Sequence, residues 1–286
     1  MVEYGFRRGS TYDLLKLKNI AGSSDLTLIN PVDSGATCES THSSTAFTSP
    51  FICQGNSAIP ANATHVYGNT GIAAGPVQRA LNSRFNDFSA SSCQASSAPP
   101  DRNIREYLVG DAANGPGRWM TTPPVQIDQA QPVDATGTPS PSLVDPAKQG
   151  VLWTYSRPLQ ASGLPGSYSA GSAFNLSDWA SLYAGQTAIG SEYPAGASAS
   201  PYAQTSGPYF LAPATNTPTS ERRVLNLAIL DCTIPAAAGS CRRIPMLGVG
   251  RFFMQRKAAL TGPNKGVFVE FSGLVPTLNA KVKLYR

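Results

Sequence analysis

The chain has 286 residues, 41% of them hydrophobic and 14% charged, with 26 glycines, 24 prolines, 5 cysteines and 2 histidines. The apolar fraction excludes a disordered chain, and the small charged fraction with abundant Gly and Pro points away from a helical cytosolic enzyme towards a β-rich extracytoplasmic protein with long irregular connections. The net charge of +5 is unevenly placed: residues 221–286 carry 11 Lys and Arg against 3 Asp and Glu, or +8, while residues 1–220 carry 11 against 14, or −3.

The first residues, "MVEYGFRRGS", read as a strand and a turn and lack the apolar centre of a signal peptide. No run approaches the roughly 18–20 apolar residues of a membrane-spanning helix, which reads as a soluble chain, and because Met1 leads straight into the strand and turn the expectation is that a native anchor or signal lies outside this sequence. Residues 1–130 mix strand-like pieces such as "DLTLIN" with a helix over "GPVQRALNSRFNDF". Pro76 suits its first turn, and Val77, Leu81, Arg84 and Phe88 fall on one face. Residues 131–219 are dominated by Pro, Gly, Ala and Ser and read as loops, with ordered islands at "GVLWTYSRPL" and "NLSDWASLYAG", the latter opening on a cap at Asn175 or Ser177.

Residues 220–286 change character: "RRVLNLAILDC", "GRFFMQRK", "GVFVEFSGLV" and "AKVKLYR" are strand-length runs separated by turn residues. "VLNLAIL" hardly alternates, which predicts a strand covered on both faces; "VFVEF" and "KVKLYR" alternate and place Glu270, Lys281 and Lys283 on one face. The expected fold is α+β, mainly β: an antiparallel sheet built largely by the C-terminal third, packing with the N-terminal region, with a few short helices. The C-terminal charge excess then reads as the solvated face of a basic sheet rather than a nucleic-acid footprint. Phe252 and Phe253 would occupy opposite faces of a regular strand, leaving at most one to stack on a base, so no nucleic-acid partner is expected.

None of the cysteines forms a CxxC pair, which argues against a zinc ribbon or a thioredoxin-like site. Cys232 and Cys241 bracket "TIPAAAGS" and predict a hairpin disulfide, contributing about 2.5–3 kcal/mol in the chain-entropy model; two buried thiols are the alternative. One cysteine is left over, with Cys93 the first choice and Cys38 or Cys53 the others. His42 and His65 both sit among Ser and Thr and make a histidine metal site untenable. Neither "NPVDSG" nor "GDAANGPG" has calcium-loop spacing, "GVGRFFM" opens a strand rather than a nucleotide-binding helix, and no cofactor is expected. Asp101 with Glu106, and Asp231 with Glu270, are conceivable acid/base pairs but read more simply as a salt bridge and a strand-end hydrogen bond. "SYSAG" centres Ser169 without the first glycine or the strand-to-helix context of a nucleophile elbow. The sequons at Asn62 and Asn175 are no more than chance supplies.

The C-terminal series "RRVLNLAILDC", "CRRIPMLGVGRFFM", "GVFVEFSGLV" and "VKLYR" resembles the end of TadG-like proteins of the bacterial tight adherence (Flp) pilus system. Upstream, "TGIAAGPVQRALNSRF" followed by "CQASSAPPDRNI" is similar to the same family's helix ending in Leu-Asn-x-Arg-Phe and its Cys and Pro-Pro-Asp. The likeness covers residues 65–110 and 220–286. It implies a non-enzymatic envelope protein of the periplasm or cell surface, a minor pilin-like or assembly subunit whose partners are other pilus subunits and whose native form is membrane-anchored. On that reading Arg222, Arg223, Arg242 and Arg243, at the two ends of the cysteine hairpin, would dock an acidic subunit. A carbohydrate-binding adhesin stacking sugars on Trp153 and Trp179 is the alternative, and a secreted serine hydrolase using Ser169 a more distant one.

Overall fold

A computed structural model describes residues 2–3, 6–7, 11–14, 26–28, 45–55, 63–70, 74–89, 93–106, 210–230, 242–261 and 265–275. In chain order these form β1 (Val2–Glu3), β2 (Phe6–Arg7), β3 (Thr11–Asp13), β4 (Leu26–Leu28), α1 (Thr45–Gln54), β5 (His65–Thr70), α2 (Ala74–Asn82) with a 3-10 turn at Ser83–Phe85, β6 (Val224–Leu230), β7 (Arg242–Met254) and β8 (Phe268–Leu274). The described part is an antiparallel β structure with two short helices, as the composition predicts: β1 and β2 pair as a ribbon, and a six-stranded sheet runs β3-β8-β7-β5-β4 with β6 also paired to β7.

The organising element is β7, 13 residues long. Its start pairs with β5 (Tyr67 opposite Arg243), its middle with β6 (Leu227 opposite Gly250) and its end with β8 (Phe252 opposite Phe271). Of the sequence-predicted strand over "GRFFMQRK", residues 250–254 are the last part of this element and residues 255–257 lie beyond it. Opposite β6 the register slips between Ile229, facing Gly248, and Leu230, facing Met246, so Leu247 is an extra residue. A one-residue bulge reverses which face the side chains meet. Ile244 and Met246 accordingly join a small cluster with Val66, Ala228 and Leu230, whereas Phe252 and Met254 join the main core.

That main core gathers Tyr12, Leu81, Phe85, Leu225, Ile229, Phe252, Met254, Val267, Val269 and Phe271, and α2 and its 3-10 turn cover it. Side-chain amides fasten the helix to the strand end: Asn82 Nδ2 donates to the Ala258 carbonyl at 3.0 Å, the Ala258 N–H returns to Asn82 Oδ1 at 2.7 Å, and the Leu260 N–H donates to Gln78 Oε1 at 2.7 Å. The weak alternation of "VLNLAIL" has its reason here: Leu225, Leu227 and Ile229 serve the main core while Ala228 and Leu230 serve the second cluster.

Glu270 departs from its expected place on an open face. It is fully buried, its Oε2 accepting from Gln255 Nε2 at 3.1 Å. Phe253, Gln255, Phe268 and Asp13 share its side of the sheet by register and are all buried. This end of the sheet therefore has two covered faces, and alternation there separates two buried layers, one of them mixing Phe253 and Phe268 with Glu270, Gln255 and Asp13, instead of core from solvent. Lys281 and Lys283 lie outside the described residues.

Candidate functional site

Three distant segments meet at the C-terminal end of α1. Sequence periodicity misses this helix because "TAFTSPFICQ" is rich in Thr and Ser, has Pro50 inside it and has no amphipathic stripe. It stops at Gly55, whose φ of +73° supplies the left-handed cap and whose N–H donates to the Phe51 carbonyl at 2.9 Å. The remaining terminal carbonyls receive guanidinium groups. Arg84 Nη2 donates to Ile52 O at 2.6 Å, and Arg222 donates through Nη2 to Cys53 O and through Nη1 to Gln54 O, while its Nε reaches Pro99 O at 2.9 Å. Cations are favourable at this end of a helix, where unpaired carbonyls concentrate negative partial charge.

A disulfide stands beside this cap. Cys53, in the last turn of α1, is bonded to Cys93 with Cα atoms 5.4 Å apart, and the pair packs with Ala80 and Ala98. Cys93 is thus not the leftover cysteine that spacing arguments select. Helix formation turns Cys53 inward towards the 93–106 segment, a placement that separation along the chain cannot convey.

Arg223 points the other way and is enclosed. Its guanidinium donates at 2.9 Å to the carbonyls of Met254, Asn103, Arg105 and Gln255, and lies between the rings of Phe85 and Phe253, 4.7 and 4.5 Å from their centroids. Its own N–H donates to Asp101 Oδ2 at 2.9 Å, Asp101 Oδ1 accepts from the Asn103 N–H at 3.0 Å, and the Asp101 N–H donates to Arg84 O at 2.8 Å. Burial pushes the Arg84 guanidinium down to about 9; neighbouring Arg222 adds to the shift, and the Asp101 carboxylate opposes it. The result is a polar hub of three arginines and one carboxylate tying α1, the 3-10 turn, the 93–106 segment and the ends of β6 and β7 together. The described guanidinium donors of Arg222 and Arg223 go to backbone carbonyls, as do both Nη atoms of Arg84, whose buried Nε has no hydrogen-bond partner.

Arg222 and Arg223 therefore do not form the surface docking cluster expected from sequence: Arg223 is fully buried and Arg222 is half-buried over α1. Adjacent arginines before a strand look like a charged end because their carbonyl acceptors lie far off in the sequence. Arg243 does sit on the surface, opposite Tyr67, its Nη2 donating to His65 Nδ1 at 3.2 Å; Thr64 Oγ1 is also 3.2 Å from that nitrogen. Arg242 opens β7 opposite Gly68. The structure thus parts the four arginines: Arg223 is inside, Arg222 is half-buried over α1, and Arg242 and Arg243 open β7, with Arg243 beside His65.

The Asp101 and Glu106 pair is also divided. Asp101 serves the hub, whereas Glu106 accepts from the Lys257 N–H at 3.3 Å and, with Asp87, faces the Lys257 ammonium at 4.0 and 3.5 Å. Phe252 and Phe253 are both buried, so neither is available to stack on a base. Cys38, His42, Asn62, Trp153, Ser169, Asn175, Trp179, Asp231, Cys232 and Cys241 lie outside the described residues. Among the described residues no group of three or more His, Cys, Asp or Glu is placed to hold a metal ion. Sequence reasoning did not single out Asp101 and Asn103 as organisers of Arg223, although Arg84, on the apolar stripe of the helix expected over "GPVQRALNSRFNDF" and in the 3-10 turn of the structure, is a legible signal of a buried charge. Set against known proteins, the chain matches no family model, no curated protein and no solved structure.

Proposed function

We propose that this chain is a non-enzymatic component of the bacterial envelope that works through surfaces, as a minor pilin-like or assembly subunit of a tight adherence type pilus. The observation that carries the reading is where the family-like residues lie. The Arg-Phe ending of the α2 motif, the Pro-Pro-Asp motif and the Arg-Arg pair before β6 meet in one hub, through the bonds of Asp101 N–H to Arg84 O and of Arg223 N–H to Asp101 Oδ2 at 2.8 and 2.9 Å. Residues that carry the resemblance thus share one structural task, as expected if they derive from one ancestral framework. The Cys53–Cys93 disulfide supports a periplasmic or surface location, because such bonds persist in oxidising compartments.

Partner docking on this reading falls to Arg242 and Arg243, since Arg223 is enclosed. Tagged protein in the cell that makes it should co-purify with sheared surface filaments or their envelope base. The double substitution Arg242→Glu and Arg243→Glu should leave folding intact and reduce capture of its pilus partners at least about tenfold, as expected for reversing charges at an electrostatic interface. Undiminished capture would remove these arginines from the interface, and absence of the wild-type chain from any filament or envelope fraction would remove the pilus reading.

A further inference from the structure

We infer that the Cys53–Cys93 bond is a redox-conditional lock on helix α1: closed, it holds the helix on its arginine cap; opened, it lets the helix leave while the sheet stays folded. The inference stands apart from the pilus reading.

Its first support is the helix itself. α1 has 10 residues, an internal proline and no acidic residue in its first turn. Isolated helices shorter than about 12–15 residues are marginal even with good helix formers, and Thr, Ser, Pro, Phe and Ile are not good ones. Its second support is the position of the ties. In the last turn Ile52, Cys53 and Gln54 offer carbonyls to Arg84 and Arg222, Ile52 packs against the core, and Cys53 supplies the covalent link. Arg222 is only half-buried, so water competes for its bonds once the link is cut. The third support is that the sheet is held by other means: β7 pairs with β5, β6 and β8, and α2 is fastened to Ala258 and Leu260 through Asn82 and Gln78.

The chemistry needs a dithiol reductant. One of its thiolates attacks a sulfur of the bond, giving a mixed disulfide and a protein thiolate. Its second thiolate then displaces the other protein sulfur. Two electrons and two protons pass to Cys53 and Cys93, and the reductant leaves as its own disulfide. Oxidation reverses this, so α1 seats only after the chain meets an oxidising compartment.

Hydrogen exchange of the full chain, read by mass spectrometry, tests the lock. It compares the oxidised protein, the same protein under a dithiol, and the double variant Cys53→Ser with Cys93→Ser, which separates this bond from Cys38, Cys232 and Cys241. Peptides over 45–55 should lose protection by at least about tenfold in the reduced protein and in the variant, and regain it on reoxidation of the wild type, while peptides over 242–254 stay within about twofold. Unchanged protection over 45–55 would overturn the lock. So would loss of protection over 242–254 at the same time, because the bond would then hold the whole molecule and not one helix.

Discussion

Arg223 concentrates what single residues do in this molecule. A buried guanidinium is costly unless its donors are met, and here the carbonyls of Met254, Asn103, Arg105 and Gln255 meet them while Phe85 and Phe253 cover its faces. Replacing it by Met keeps much of the volume but leaves those carbonyls without their donor. Arg223→Met should therefore lower stability by about 3–5 kcal/mol, seen as a lower urea midpoint at unchanged slope. Arg223→Lys should recover little of this, since one ammonium cannot span acceptors arranged for a planar fork. A loss below about 1 kcal/mol for Arg223→Met would mean that the hub hardly matters to folding. Residue identity is also where sequence reading fails most instructively. Arg222 and Arg223 look alike on the page, yet one caps a helix and the other fills the interior, because what selects between those roles lies more than a hundred positions upstream, at Cys53, Pro99, Asp101 and Asn103.

Among the elements, legibility follows periodicity. β8 and α2 announce themselves because apolar residues recur at strand or helix spacing, and β6 and the end of β7 as short apolar runs between turn residues, whereas α1 is hidden by composition and by a final turn whose partners are remote. The reach of β7 back to Arg242 is harder to see, because Pro245 and the extra residue Leu247 interrupt the pattern without ending the strand. Glu270 is misplaced by the same logic: alternation gives the face and not what covers it. Gly250 gives the strand-level test. A Cβ at this position would stand 2.6 Å from the Phe252 ring and 3.1 Å from Ile229 Cδ1, and both side chains are buried in the core. Gly250→Ala should accordingly cost about 1–3 kcal/mol through overpacking. As a control, Gly75→Ala in α2 meets only the movable end of Arg79 and should be neutral or slightly stabilising in the same thermal melt. Equal melting temperatures for the two variants would contradict the packing described around Phe252.

At the scale of the whole molecule, strands from both ends of the chain share one sheet: β3 pairs with β8, and β5 with β7. The α+β, mainly β class is therefore readable from composition and strand patterns, while the topology is not, since nothing local in Thr11–Asp13 names Phe268–Glu270 as its neighbour. A like closure occurs midway. The Ile104 N–H donates to Leu211 O at 2.9 Å, the Leu211 N–H donates to Asn103 Oδ1 at 3.2 Å, and Thr219 and Pro100 are bonded just behind them. The chain thus leaves the hub and returns to it at one point. For a chain closed at one point, the entropic cost of closure grows only with the logarithm of the enclosed length. Inserting ten Gly and Ser residues after Gly137 should change the urea-derived stability by roughly 0.1 kcal/mol. A loss of about 2 kcal/mol or more would show that the enclosed stretch supports the sheet. If the small value holds, evolution has been free to lengthen, shorten or rewrite the stretch between residues 106 and 210 without renegotiating the framework at its two ends.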